Sequence, residues 1–207
     1  MKRPATHHRL VGALTLLAML VCCPAYATSV AQVSFADLID RAALIFQGNV
    51  ISHRTQVDLN GRTPWTIVTI EVTDWIKRND SSRPAVVELP FMGGRLGDRT
   101  VAVEGMQIPP PGESGIFFVE SRYVRQANPL LGWSQGYFRI EEQDNETVIT
   151  TADGEPVADV DTSSFAVLPQ MSDGTAGGIR KARSREGERA MRAQRFRDRI
   201  MQRLERR

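Results

Sequence analysis

The sequence predicts an all-β fold, a small barrel with a short N-terminal helix and a basic C-terminal helix. Three observations carry this reading. The run Ile116-Phe117-Phe118-Val119 follows the rigid turn Pro109-Pro110-Pro111-Gly112. Four apolar residues in succession after such a turn describe a strand buried on both faces. Several further stretches rich in β-branched and aromatic residues recur between Gly, Asn and Asp turn signals. Helical periodicity is confined to the two ends of the chain. Glycine-rich kinks among the strands favour closure into a barrel, which would remove exposed edges.

The elements follow in order. Ser34 begins a capping-box spacing with Asp37 three residues on, and Leu38, Ile39, Ala42 and Ala43 follow at helical spacing. A short helix over 35–43 is expected. Leu44 to Ile51 reads as the first strand, and Gly48 in its middle predicts a bulge or bend. Asn60-Gly61 is a hairpin signal. The stretch 63–75 alternates Val68, Ile70 and Val72 against Thr69, Glu71 and Thr73, a strand with one buried face. Residues 77–83 read as a polar loop. Ala85 to Leu89 and Thr100 to Val103 are further strands around the turn residues Gly93, Gly94 and Gly97. Residues 135–141 form another, with Tyr137 and Phe138 on opposite faces. Residues 147–151 and 155–160 flank Asp153-Gly154 as a last hairpin. Residues 161–184 are rich in Ser, Thr, Gly and Asp and read as a flexible linker, with Phe165 to Leu168 able to dock back. From Arg185 to Arg207 a basic amphipathic helix is expected, with Ala193, Phe196, Ile200 and Leu204 as a narrow apolar stripe.

Targeting is read from residues 1–27. Lys2, Arg3 and Arg9 precede an apolar run from Leu10 to Val21, and Ala25-Tyr26-Ala27 supplies small residues where a signal peptidase reads. That run is short of the roughly 20 residues of a membrane span. Cleavage after Ala27 would leave residues 28–207 and remove Cys22 and Cys23, the chain's 2 cysteines. The barrel domain would occupy 28–160, in the periplasm or the medium, and would hold together without a disulfide.

Charge is divided sharply. Residues 28–179 carry 11 basic and 20 acidic groups, a net −9, whereas 180–207 carry 12 basic and 4 acidic groups, a net +8. An acidic body with a basic tail points to a polyanionic partner or to self-association. Docking on an anionic membrane surface would use Arg189, Arg192, Arg195, Arg199 and Arg203, with Phe196 and Ile200 buried in the interface. The competing arrangement folds the tail onto the chain's own acidic body. Nucleic acid is disfavoured by the acidic body and by export.

Little catalytic chemistry is legible. Gly132-Trp133-Ser134-Gln135-Gly136 spells G-x-S-x-G, but strand rather than helix follows the serine and no histidine comes after it. One histidine, His53, remains beyond residue 27, too few ligands for a structural zinc. Glu141, Glu142, Asp144 and Glu146 could hold a weak calcium ion, though a solvated acidic loop explains them more simply. No cofactor and no catalytic residue is expected.

The order of certain pieces carries a family resemblance. They are the stretch from Ala42 to Val50, Val72 to Lys77, Leu89-Pro90 with Gly93-Gly94, Pro111-Gly112-Glu113 with Phe117-Phe118, and Gln135-Gly136-Tyr137-Phe138-Arg139. Together they resemble secreted bacterial proteins similar to the tissue-inhibitor-of-metalloproteinase/netrin-like superfamily. That resemblance implies an OB-type barrel over roughly residues 35–157. It also implies a non-enzymatic binding module whose partner is an envelope or secreted protein. The alternative is an accessory or inhibitor of an extracytoplasmic protease. In the metalloproteinase inhibitors an N-terminal cysteine chelates the target zinc. No residue here inherits that role, because the chain after residue 27 has no cysteine.

Overall fold

The structure is a computed structural model. It describes residues 30–78, 82–121, 124–163, 170–183 and 188–206. The expected leader, the site at Ala27 and the docking of Phe165 to Leu168 lie outside the described residues.

Ser34 caps helix α1 (Phe35–Arg41), its hydroxyl accepting from the Asp37 N–H at 2.9 Å. The far end is held from another element. Lys77 donates to the Ile39 and Asp40 carbonyls at 2.8 Å each, satisfying acceptors the helix leaves open. The strands are β1 (Leu44–Val57), β2 (Pro64–Arg78), β3 (Val86–Met92), β4 (Gly94–Leu96), β5 (Arg99–Val101) and β6 (Ser114–Val119). After a single 3-10 turn, Trp133–Gly136, come β7 (Tyr137–Gln143), β8 (Glu146–Thr151), β9 (Val157–Val160) and β10 (Ile179–Lys181). Helix α2 (Ala193–Glu205) closes the chain.

Six strands form one antiparallel sheet in the order β3-β2-β1-β6-β7-β8. The all-β reading holds, but the sheet is not a closed barrel. β3 and β8 end it and do not pair with each other. Closure was expected to remove the edges. Instead β8 is covered by later chain: the Ile149 N–H donates to the Met191 carbonyl, and Val148 bridges Arg192.

β6 is central, between β1 and β7, and its five residues from Gly115 to Val119 are buried. Its side chains feed two cores. Ile116 and Phe118 join Phe35, Ile45, Phe138, Phe196 and Ile200 on the face covered by both helices. Phe117 and Val119 join Phe46, Val68, Ile70, Leu89, Phe91 and Tyr137 on the other. Tyr137 and Phe138 thus take opposite faces, as the alternation predicts.

The bulge expected at Gly48 is present as a register shift between Gln47 and Gly48. A Cβ there would lie 2.5 Å from the Glu71 carbonyl oxygen, so only glycine permits this approach of β1 to β2. Both strands run further than expected, to Val57 and Arg78, and β2 absorbs the start of the predicted polar loop. Long-range pairing overrides weak local propensity at their outer ends.

The linker expected over 161–184 contains ordered structure. β10 pairs with β9, and the Gln32, Phe35 and Ser172 N–H groups bond to Gln170, Gly177 and Val30 carbonyls. Ala176 and Thr175 are buried. Polar, glycine-rich composition here marks tight hydrogen-bonded turns around the N-terminal segment. Gln135 completes that clasp, donating to the Ala31 carbonyl at 3.0 Å and accepting from the Val33 N–H at 2.8 Å.

Candidate functional site

The C-terminal helix is the first region in question, since sequence placed the partner-binding residues there. α2 begins at Ala193, later than the expected Arg185. Phe196 and Ile200 are fully buried, with the Phe196 ring centroid 4.8 Å from that of Phe138 and 5.1 Å from that of Phe35. The two apolar residues assigned to a docking interface therefore lie in the domain core. Ala193 and Leu204 of the same stripe pack against this core as well, and Met201, outside the stripe, widens it. Met191, off the stripe by helical counting, is also buried, because it precedes the helix in extended chain.

Several arginines hold this arrangement. Arg203 grips Asp40 through two bonds, Nε at 3.2 Å and Nη2 at 2.6 Å, and donates to the Thr162 carbonyl. The hydrogen bond to Asp40 holds the guanidinium above its ordinary pKa. Arg197 pairs with Asp74 at 2.6 Å, and Arg199 reaches Asp159 at 3.5 Å. Arg192 bonds Glu146, which lowers the carboxyl below its usual value. The Arg192, Arg197 and Arg199 pairs are substantially exposed and fix register more than they stabilise, whereas Arg203–Asp40 is largely shielded from solvent. Arg189 and Arg195 remain outward and exposed.

The G-x-S-x-G serine and His53 have structural partners. The Ser134 hydroxyl donates to the Gly174 carbonyl at 3.4 Å, inside the 3-10 turn rather than on a strand-to-helix elbow. His53 donates to the Pro109 carbonyl at 2.7 Å. Of the four acidic residues weighed for calcium, Glu141 pairs with Arg139 and Glu146 with Arg192. Asp144 forms the β7–β8 turn with Asn145, both at positive φ. Among the described residues no group of three or more His, Cys, Asp or Glu could hold a metal ion. Beside the rigid turn, Glu113 accepts from the buried Tyr137 hydroxyl at 2.8 Å and meets Arg139 at 3.1 Å. Burial, reinforced by that carboxylate, raises the Tyr137 pKa far above its ordinary value.

A groove that sequence reasoning did not identify lies on the outer side of β3. The loop that leaves β6 at Glu120 returns at Leu130, pinned by the bond from the Glu120 N–H to the Pro129 carbonyl. Its body reaches β3, where the Met92 N–H donates to the Ala127 carbonyl at 2.7 Å. Between loop and strand the walls include Ile67, Val86, Pro90 and Val124. Val86 and Val124 are 44% and 63% exposed. Arg125 lies over the Trp65 ring, 4.8 Å from its centroid, and Arg54 pairs with Glu88 at 2.8 Å. The indole N–H of Trp65 is buried and finds no acceptor among the described residues. Alternation in β3 was legible in the sequence; the loop that walls the groove was not, since its contacts are long-range.

Comparison with protein-family models, with curated proteins and with solved structures finds no match. Among the described residues no helix is long and apolar enough to cross a membrane.

Proposed function

We propose that this chain is an exported, non-enzymatic binding module of the netrin-like, OB-derived kind, whose partner is an envelope or secreted protein. The observation that carries the reading is the groove beside β3, where exposed Val86 and Val124 stand beside Arg125 and the Arg54–Glu88 pair. Apolar surface flanked by arginine is the composition protein interfaces favour. Export rests on the basic, apolar and A-x-A segments of residues 1–27. The netrin-like assignment rests on the order of the resembling motifs. The outward Arg189 and Arg195 give the same module a basic face for an anionic membrane surface.

A photo-reactive residue at position 124, introduced into the full chain in the exporting cell, tests this reading. A discrete cross-linked protein is expected there, and none from the same residue at the exposed position 142 on the opposite part of the sheet. Equal or absent cross-linking at both positions would defeat the proposal. The alternative, an accessory or inhibitor of an extracytoplasmic protease, draws on the resemblance alone; a protease as the cross-linked species would establish it.

A further inference from the structure

We propose that the open edge of β3 accepts an extended polypeptide segment as an added strand, which deepens the binding-module reading and rests on it. The two terminal strands of the sheet are treated differently. β8 is covered by residues 191–192 and by the bridge of Thr150 to Pro156. Among the described residues, β3 makes a backbone hydrogen bond on its outer side only at Met92.

Pairing parity identifies what the rest of that edge offers. The Val72 N–H donates to the Ala85 carbonyl, which makes Val72 and Ala85 a hydrogen-bonded pair. In the observed register, Ile70–Val87, Val68–Leu89 and Thr66–Phe91 are then hydrogen-bonded pairs too. Val86, Glu88, Pro90 and Met92 fall at the alternate positions and aim their backbone groups away from β2. The outward bond of Met92 obeys this parity, and so does Pro90, whose missing N–H leaves the inner ladder intact. The free edge therefore presents the N–H and C=O groups of Val86 and Glu88 and the carbonyl of Pro90. Donors and acceptors alternating at strand spacing are what an extended peptide backbone matches.

Side chains define the chemistry of the segment. One face of an added strand continues the row Val87, Leu89 and Phe91, which belongs to the core. Apolar residues suit that face. The other continues Val86, Glu88 and Pro90, opposite Val124 and Arg125. Glu88 is already neutralised by Arg54, so among the described residues lining the groove the remaining charge is that of Arg125. The occupant is a segment of alternating apolar and polar residues that carries a carboxylate toward Arg125.

An acetylated, amidated heptapeptide, in which valines alternate with threonines and one glutamate, is the probe. Its binding to the full mature chain is read by fluorescence anisotropy, and its site by amide hydrogen exchange. Exchange at Val86 and Glu88 is expected to slow by at least tenfold on binding. Val87 and Leu89, already paired with β2, should change little. Glu88→Pro removes an outward donor at the same parity as Pro90, and is expected to weaken the peptide at least tenfold while retaining a cooperative melt. Arg125→Glu, which leaves the backbone edge intact, should weaken the glutamate peptide but not its glutamine counterpart. Absence of binding, or unchanged affinity in Glu88→Pro, overturns strand addition. Concentration-dependent dimerisation abolished by Glu88→Pro would assign the edge to a second copy and equally overturn it. If the cross-link from position 124 survives Glu88→Pro undiminished, the module reading stands and the edge proposal fails.

Discussion

Tyr137 sits beneath the rigid turn, with its ring stacked on Phe117 at 5.0 Å and its hydroxyl donated to Glu113. Its raised pKa has a definite consequence for stability. The unfolded chain ionises this tyrosine near pH 10, while burial keeps it neutral in the folded chain. Folded stability from this group is therefore complete below about pH 10 and falls as pH rises above it, because only the unfolded state releases the proton. Melts between pH 8 and 11 should show a steeper alkaline loss for the natural chain than for Tyr137→Phe. At neutral pH that substitution should cost about 1 kcal/mol, since Glu113 keeps Arg139 but loses a donor. Equal alkaline slopes would mean the hydroxyl is not buried in solution. Phe196 makes the corresponding case in the other core. It touches Phe35 and Phe138 and has no exposed surface, so Phe196→Ala should destabilise by about 3–5 kcal/mol, like a central Phe118→Ala. An unchanged melting midpoint for Phe196→Ala would place the helix outside the folded core.

Helix α2 contributes at the scale of elements because its approach does two things at once. Residues 191–192 cover the edge of β8, and Phe196 and Ile200 fill the face of the sheet shared with α1. Removing the chain after Ala182 would expose that edge and leave a cavity lined by Phe35 and Phe138. Fully burying such side chains contributes about 1.5–3 kcal/mol each, against a whole-domain stability of about 5–15 kcal/mol. The shortened chain should lose most of its cooperative melt and bind a hydrophobic dye; a melt matching the full chain would mean the helix is an appendage. Periodicity alone found this helix and its stripe, because Phe196, Ile200 and Leu204 repeat at helical spacing. Its destination was not legible: the same stripe fits a membrane surface or a protein face, and only the aspartates at positions 40, 74 and 159 decide between them. Those three are far apart in sequence and meet the helix through the fold. Ser34, Gly48 and the run from Ile116 to Val119 were legible for the opposite reason. A cap, a bulge and a doubly buried strand each leave a local signature. The groove beside β3 left none, since its wall is a loop placed by single backbone bonds at Glu120 and Met92.

The whole molecule brings its acidic and basic halves together. Barrel closure was the natural solution to six strands with kinks, yet residues 191–192 cover β8, while among the described residues the outer edge of β3 is bonded only at Met92. This changes what an anionic surface would meet. An unfolded basic tail would gain helix on docking, as its arginines were neutralised and its apolar residues entered lipid. Here α2 is already folded, and Phe196 and Ile200 are committed to the core. Arg192, Arg197 and Arg203 face carboxylates of the chain itself. Attraction to a membrane is left to the outward groups, chiefly Arg189 and Arg195, at about 1 kcal/mol for each basic group near an anionic surface. The acidic remainder of the body opposes it. Vesicles containing phosphatidylglycerol should therefore bind the chain from residue 28 onward weakly, and binding should vanish at about 0.5 M salt as the Debye length contracts. Circular dichroism should not change on binding, because no helix remains to form. The double substitution Arg189→Glu with Arg195→Glu should abolish the association without moving the melting midpoint, as neither side chain is buried. A rise in helix content on adding vesicles would instead mean that α2 is not folded onto the body in the free chain and forms only on docking.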